Sequence, residues 1–399
     1  MSFAVASDQR PLIAGVGMIR FTKPGQSDPW DQLGESAARL ALEDAKVRYE
    51  DVQIAHVGYV YADSTAGQSA LYRLGLSGIP IVNVNNNCAT GSTALYLACQ
   101  AVASGSAEVA LALGFEQMNP GKLDLVFGDR KRTMDHLTAR LGELLGEDTS
   151  GPLNAAMYFG AAGREHQQHY GTSAETFASV AVKARRHASK NPLAMFRTPL
   201  TIEEVLESKP LYGMLTRYQA CAPTCGAAAA VVVSSAYARK HSLEGLVEVA
   251  GQALTTDRAE SFESIRGLIG AEMTARAASR VYEMAGAGPE DVRVVELHDC
   301  FTSAEAIFTE SLGLCAEGEF EKYVREGNNT YGGSHVINPS GGLLAKGHPL
   351  GATGLAQCHE LVHQLRGTAG ERQVPDAKLG LAHNTGLGGA TVVTMLRAD

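Results

Sequence analysis

The sequence predicts an α/β protein built on a largely parallel sheet. Short apolar runs rich in β-branched residues alternate with stretches of helical periodicity, which is the pattern of repeated βαβ units. The 399 residues are 45% hydrophobic and 19% charged with 43 glycines, a globular enzyme's composition rather than that of a disordered or fibrous chain. That length can hold two or three typical domains around a large core.

Pro11 to Gly17 is expected to open the fold as a buried strand. Trp30 to Lys46 places Leu33, Ala37, Leu40 and Ala41 at helical spacing, with Asp28 and Asp31 near its start. Ile54 to Val60 is a second strand, Leu71 to Leu76 a short helical piece, and Ile81 to Val84 a third strand. Glu108 to Gly114 is a fully apolar fourth strand. The texture then changes: from about Asn119 to Cys225 the chain is longer between elements and richer in charge, as in an excursion inserted between core elements. Gly226 to Ser234 returns to a buried-strand pattern, followed by a helix to about Lys240. A second set of βα elements begins near Leu246 to Gly251. It continues with a strand at Val292 to Leu297, a helix at Ala304 to Leu312, a glycine-rich loop at Asn338 to Thr353 and a helix at Gly354 to Leu365. Strands at Lys378 to Gly386 and Ala390 to Leu396 close it. The strand after Gly354 to Leu365 answers the strand after the Cys88 helix, which suggests an internal duplication.

The chain is organised around Ile81 to Ala98, where a β-branched segment passes through Asn85, Asn86 and Asn87 to Cys88 and into an Ala/Leu-rich helix. Asparagines tolerate left-handed and tightly turned backbone. A cysteine there faces unpaired amides and the positive end of a helix dipole, which favour thiolate over thiol; on the local pattern alone a buried structural cysteine is the equal alternative.

Composition narrows the function. A net charge of -9 argues against nucleic acid as the main partner. The seven cysteines form no closely spaced framework, and their odd count fits a reducing compartment. No apolar run approaches the roughly 18 residues that span a bilayer, and neither a signal peptide nor a peroxisomal tripeptide is apparent, so a cytoplasmic protein without membrane insertion is expected.

Four motifs then fall in order: the Cys88 elbow, His298-Asp-Cys300-Phe301, Gly347-His348-Pro349-Leu-Gly351 and His383-Asn-Thr-Gly386. Together they resemble the thiolase superfamily, and more narrowly the thiolase of the sterol carrier protein X type, over nearly the whole chain. The resemblance implies a thiolase fold: two duplicated βαβαβαββ halves forming a five-layer αβαβα core, with an inserted loop domain. Residues 1–118 with 226–245 would form the N-terminal half, 119–225 the loop domain that binds CoA and substrate, and 246–399 the C-terminal half. Two departures from ordinary thiolases accompany it. Their Asn-Glu-Ala-Phe motif is His298-Asp-Cys-Phe301 here, and their C-terminal catalytic cysteine falls at His383-Asn-Thr. Both are typical of the sterol carrier protein type.

The implied activity is thiolytic cleavage of a 3-ketoacyl-CoA to acetyl-CoA (or propionyl-CoA) and a shortened acyl-CoA, in fatty-acid or sterol side-chain β-oxidation. Cys88 would give its proton to His348 and attack the 3-keto carbon. Cys300 would protonate the departing enolate and later deprotonate incoming CoA. His298 and His348 would hold the thioester oxygen, and the amide of Cys88 with one near Gly386 the tetrahedral oxyanion. Cys221 and Cys225 fall where the family lines the pantetheine channel. CoA is a substrate, and no metal or other cofactor is expected; a homodimer is the minimum assembly, with a tetramer the alternative.

Other candidates carry plainer expectations. His359 and His363 sit four apart on a helix without a third metal ligand, His166 and His169 read as a solvated helix face, and Cys99 and Cys358 as core. Lys122 belongs to the charge of the inserted region; Arg130 to Arg132, Lys183 and Arg185-Arg186 are surface charge or contacts to CoA phosphates. The rival readings are a thiolase-fold lyase performing retro-aldol cleavage of a β-hydroxyacyl-CoA, a condensing ketoacyl synthase, and a lipid-binding scaffold without chemistry. The chain ends at Asp399 directly after the last expected core strand, so a separate lipid-transfer module is not expected.

Overall fold

The computed structural model describes residues 7–121, 128–149 and 154–398. In the first half, β1 (Pro11–Met18), α1 (Trp30–Ala45), β2 (Ile54–Gly58), β3 (Ile81–Val84), α2 (Thr90–Ala103) and β4 (Val109–Glu116) lead to an insertion, after which β5 (Gly226–Ser234) completes the unit. The insertion carries α3 (Asp135–Leu145), α4 (Ala155–Tyr170) and α5 (Ala174–Ala188). The second half runs β6 (Val247–Thr255), α6 (Ala271–Ala285), β7 (Val294–Glu296), α7 (Thr302–Ser311), β8 (Val336–Ile337), α8 (Thr353–Leu365), β9 (Leu379–Gly386) and β10 (Ala390–Ala398).

The strands lie in the order β3-β2-β4-β5-β1-β6-β10-β9-β7-β8. Each half therefore repeats one topology, with its third, second, fourth, fifth and first strands side by side. In both, the second, third and fourth strands are parallel, while the fifth runs antiparallel to the fourth and the first. This is the expected duplication. The helices α2 and α8 pack on each other between the two halves of the sheet, α1 covers one outer face and α6 the other, giving the five αβαβα layers. The two β layers are continuous rather than separate, because Leu12 pairs with Glu248 and Ile13 with Val247. Among the described residues, strand-to-strand pairing joins the halves at this seam, while the central helices lie between the remaining strands.

Local sequence explains the layering. β4 and β5 are buried on both faces along their whole length, and accordingly read, up to Glu116 at the end of β4, as runs of apolar and small residues without alternation. The insertion docks on the second half: Lys183 of α5 reaches Glu305 of α7 in a buried ion pair, and the amides of Met195 and Phe196 donate to the carbonyls of Lys346 and Ala345, both at 3.0 Å. The short helix expected at Leu71 to Leu76 lies earlier, at Ala66–Tyr72, and Leu76 is exposed. Lys122 lies outside the described residues. Among the described residues, no helix is long and apolar enough to cross a membrane.

Candidate active site

The four motifs converge where β3 hands over to α2. Asn87 takes the left-handed conformation (φ 51°), which turns the chain so that Cys88 sits immediately before the helix N-cap, Ala89. The turn is tied by its own polar groups. Asn86 N–H donates to Thr90 Oγ1 at 2.8 Å, that hydroxyl donates to the Asn87 carbonyl at 2.6 Å, and Asn87 Nδ2 donates to the Leu387 carbonyl at 2.9 Å. The last contact brings the end of β9 against the turn. Gly386 permits it, since a Cβ there would stand 2.1 Å from the Asn86 carbonyl oxygen.

Cys88 Sγ and one ring nitrogen each of His298 and His348 lie within 4.8 Å of one another, all three residues buried. Hydrogen bonding assigns the two imidazoles opposite roles. Thr353 Oγ1 spends its single proton on the Pro349 carbonyl (3.0 Å), so at 2.7 Å it accepts from His348 Nδ1–H. His348 Nε2 is left as a buried lone pair with no partner, which is a base. On the other ring, Asn384 Nδ2 donates to His298 Nδ1 at 2.9 Å, its amide held that way round by the Ser92 hydroxyl on Asn384 Oδ1 at 3.2 Å. Nε2 of His298 must then carry the proton and serve as a donor. Cysteine with two histidines is also a zinc-type set. A ligating histidine, however, donates its other N–H to an acceptor, and His298 Nδ1 receives one instead. The set is arranged for hydrogen bonding.

Burial keeps the site uncharged at rest. It pushes the Cys88 thiol up to about 12, with the Glu116 charge adding to the rise and the backbone amides of Cys88 and Leu387 opposing it. The expectation that the helix terminus tips Cys88 toward the thiolate is therefore corrected: desolvation outweighs it, and the sulfur needs a base, as the expected proton transfer to His348 also requires. Burial, helped by Lys346, lowers His348 to about 3, so the base is neutral. His298 is lowered well below its ordinary value by burial and by its neighbours His348 and His383. The amide that reaches the Cys88 sulfur belongs to Leu387, while Gly386 supplies the close approach.

Cys300 is buried beyond the cysteine–histidine trio. Burial raises its thiol well above the ordinary value, with repulsion from Cys221 and Cys88 adding to it. Cys221 lies beside it, its N–H donating to the Cys300 carbonyl at 2.8 Å. Cys225 does not join them. It is fully buried in the first half's core, with its thiol 3.5 Å from the Met118 carbonyl, so its assignment to the channel wall is withdrawn.

Sequence reasoning missed Glu116. At the end of β4, its buried carboxylate accepts from the amides of Val60 (3.1 Å), Tyr61 (2.8 Å) and Gly351 (3.0 Å). It thus fastens the loop bearing His348 to the first half. Gly351 packs so closely that a Cβ would meet the Phe115 and Gly58 carbonyl oxygens at 2.4 and 2.6 Å. Nothing in the local sequence marks Glu116; only the folded register brings its partners together. Asn384 lies inside a motif already recognised and Thr353 ends the glycine-rich loop, yet their roles follow from the neighbours that the fold gives them.

Two further expectations change. His166 is buried, bonded to Glu310 at 3.0 Å and Thr172 at 2.9 Å, so it is no solvated-face residue; His169 is exposed. Lys183 is buried in its ion pair and is unavailable to a phosphate. Arg185 covers the Phe196 ring at 4.5 Å, and Arg130 to Arg132 line a cavity of about 770 Å³ that Asn87 and Leu387 also line, with Arg130 paired to Asp129 and Arg132 to Asp135.

The thiolase N-terminal domain family matches residues 13–236, and the thiolase C-terminal domain-like family matches residues 255–398. The chain belongs to the thiolase family. Sterol carrier protein 2 of Oryctolagus cuniculus is 49% identical over 395 residues, spanning 97% of this chain and 72% of that protein. The benzoylsuccinyl-CoA thiolase subunit BbsB of Thauera aromatica is 37% identical over 384 residues, spanning 96% of each. Among solved structures, the Ltp2-ChsH2(DUF35) aldolase matches with a TM-score of 0.83 and 26% identity over 99% of each chain. The thiolase assignment thus covers both halves of the repeat that carries the site.

Proposed function

We propose that this thiolase-family protein is an acetyl-CoA C-acyltransferase that cleaves 3-ketoacyl-CoA with CoA through an acyl-Cys88 intermediate, serving β-oxidation of fatty acyl or sterol side chains. The observation that carries the reading is the buried cysteine–histidine trio, in which His348 Nε2 offers a lone pair and His298 Nε2 a proton. As Cys88 attacks the 3-keto carbon, its proton passes to His348 Nε2. The amides of Cys88 and Leu387 take up the oxyanion. Collapse breaks the bond between C2 and C3, and the electron pair moves into the thioester enolate, whose oxygen is held by His298 Nε2–H and the newly protonated His348. Cys300 protonates C2, releasing acetyl-CoA. The CoA thiol then gives its proton to Cys300 and takes the acyl group from Cys88, which recovers its own proton from His348. Because thiol and base start far apart in proton affinity, charge develops only as the carbon–sulfur bond forms, where fixed donors are most effective. CoA is a substrate and no other cofactor enters the scheme. A homodimer is the proposed minimum assembly, with a tetramer possible.

Similarity to an aldolase keeps one rival in view: retro-aldol cleavage of a β-hydroxyacyl-CoA, which needs no acyl-enzyme. The test follows CoA-dependent loss of acetoacetyl-CoA and of a long-chain 3-ketoacyl-CoA by wild type, Cys88→Ala and Cys300→Ala. The proposal expects turnover by wild type and a loss of at least about 10²-fold in each variant. Full thiolysis by Cys88→Ala, or wild-type turnover confined to β-hydroxyacyl-CoA, would overturn it.

A further inference from the structure

The site holds two more thiols than the nucleophile itself, and the backbone sets them face to face. Ala220 and Phe301 form an isolated antiparallel bridge, and the Cys221 amide donates to the Cys300 carbonyl at 2.8 Å. One step along from that bridge, Cys221 stands directly opposite Cys300. Directly opposed residues of an antiparallel pair have Cα atoms about 4.5–5.5 Å apart, inside the roughly 4.4–6.8 Å range that a disulfide spans, and their side chains project from the same face. Both cysteines are free. Cys300 is buried, whereas Cys221 keeps partial exposure. Stacking of Phe301 on Phe159, centroids 4.9 Å apart, steadies the segment. Cys99 and Cys358, by contrast, are enclosed within helices of the central layer.

We propose that Cys221 and Cys300 form a reversible oxidative modification site, closing to a disulfide when a peroxide reaches the vacant active site. One thiol attacks the peroxide: a sulfur–oxygen bond forms, the oxygen–oxygen bond breaks, and the displaced hydroxide leaves as water with the thiol's proton. The second thiol attacks the sulfenic sulfur: the sulfur–sulfur bond forms, the sulfur–oxygen bond breaks, and a second water departs with the remaining proton. Two thiols are oxidised and one hydrogen peroxide is reduced to two waters. A dithiol reverses the step by exchange. Burial raises both thiols, so the thiolate is scarce and closure is slow. Closure removes the proton carrier at Cys300 and leaves Cys88, His298 and His348 unmodified. This consequence for turnover rests on the reading of Cys300 above; the linkage itself does not.

The experiment treats the full chain with hydrogen peroxide, blocks remaining thiols under denaturing conditions, and maps peptides without reduction. A Cys221–Cys300 cross-link is expected, lighter by two hydrogens than its separate peptides. It should vanish in Cys221→Ser and in Cys300→Ser, persist in Cys99→Ser, and disappear with dithiothreitol. The fraction of thiolysis lost should equal the fraction linked. No cross-link in the folded protein, or one that joins Cys88 to either thiol instead, overturns the inference and leaves the thiolase reading standing. A Cys221–Cys300 link with full activity establishes the modification site and overturns the role of Cys300 in turnover.

Discussion

Glu116 shows how a residue outside every motif can govern the site's response to pH. With His348 lowered to about 3 and Cys88 raised to about 12, burial places Glu116 at about 7, well above its usual 4.5, although three amides favour its ionised form. As pH rises through 7, the carboxylate forms and gains acceptor capacity for the amides of Val60, Tyr61 and Gly351, fixing the His348 loop. A kcat profile with an acidic limb near pH 7 is expected, and Glu116→Gln should flatten it at a lower plateau; an unchanged limb in that variant would contradict the assignment. Stability has the opposite sign. The folded state binds this proton more tightly than the unfolded chain, so the contribution is fully present below about pH 4.5 and is lost as pH rises through 7. At this scale the sequence makes the groups of the proposed chemistry legible, because Cys88, His298, Cys300 and His348 lie in compact motifs. Their protonation states are not legible there, since these depend on Thr353, Asn384 and desolvation. The tilt toward thiolate expected from the helix terminus fails for that reason.

At the scale of elements, the insertion is held to the second half by charge buried in the protein. Lys183 on α5 and Glu305 on α7 pair with almost no exposure, and Asn329 Nδ2 adds a bond to the same carboxylate oxygen at 3.2 Å. Removing one partner strands a buried charge, at a cost of about 3–5 kcal/mol, whereas apolar replacement of both costs far less. Lys183→Met should therefore lower the thermal midpoint sharply, and Lys183→Met with Glu305→Leu should recover most of the loss. A single variant as stable as wild type would contradict this account of the docking. The periodic apolar runs make most strands and helices legible in sequence, with Gly226–Ser234 at its expected bounds. What a charged residue on a helix meets is not legible. Lys183 looks the same as Arg186 in sequence, yet one is buried and the other exposed.

Across the whole molecule, the repeat is what assembles the chemistry. The first half delivers Cys88 at the start of α2, while the second delivers His298 and Cys300 after β7, His348 before α8, and the Leu387 amide after β9. The central helices bring these ends together, with Ser92 of α2 reaching Asn384 of β9. The order of the motifs is enough to suggest the duplicated fold from sequence. The seam between β1 and β6 is not, because it depends on two residue pairs and not on any pattern. The central claim is covalent catalysis by Cys88, and the most direct measurement is the mass of the protein quenched during turnover of a 3-ketoacyl-CoA without free CoA, followed by peptide mapping. The account predicts an acyl group on the Cys88 peptide that disappears when CoA is added. Substrate consumed with no adduct, or an acyl group on Cys300 instead, would contradict it.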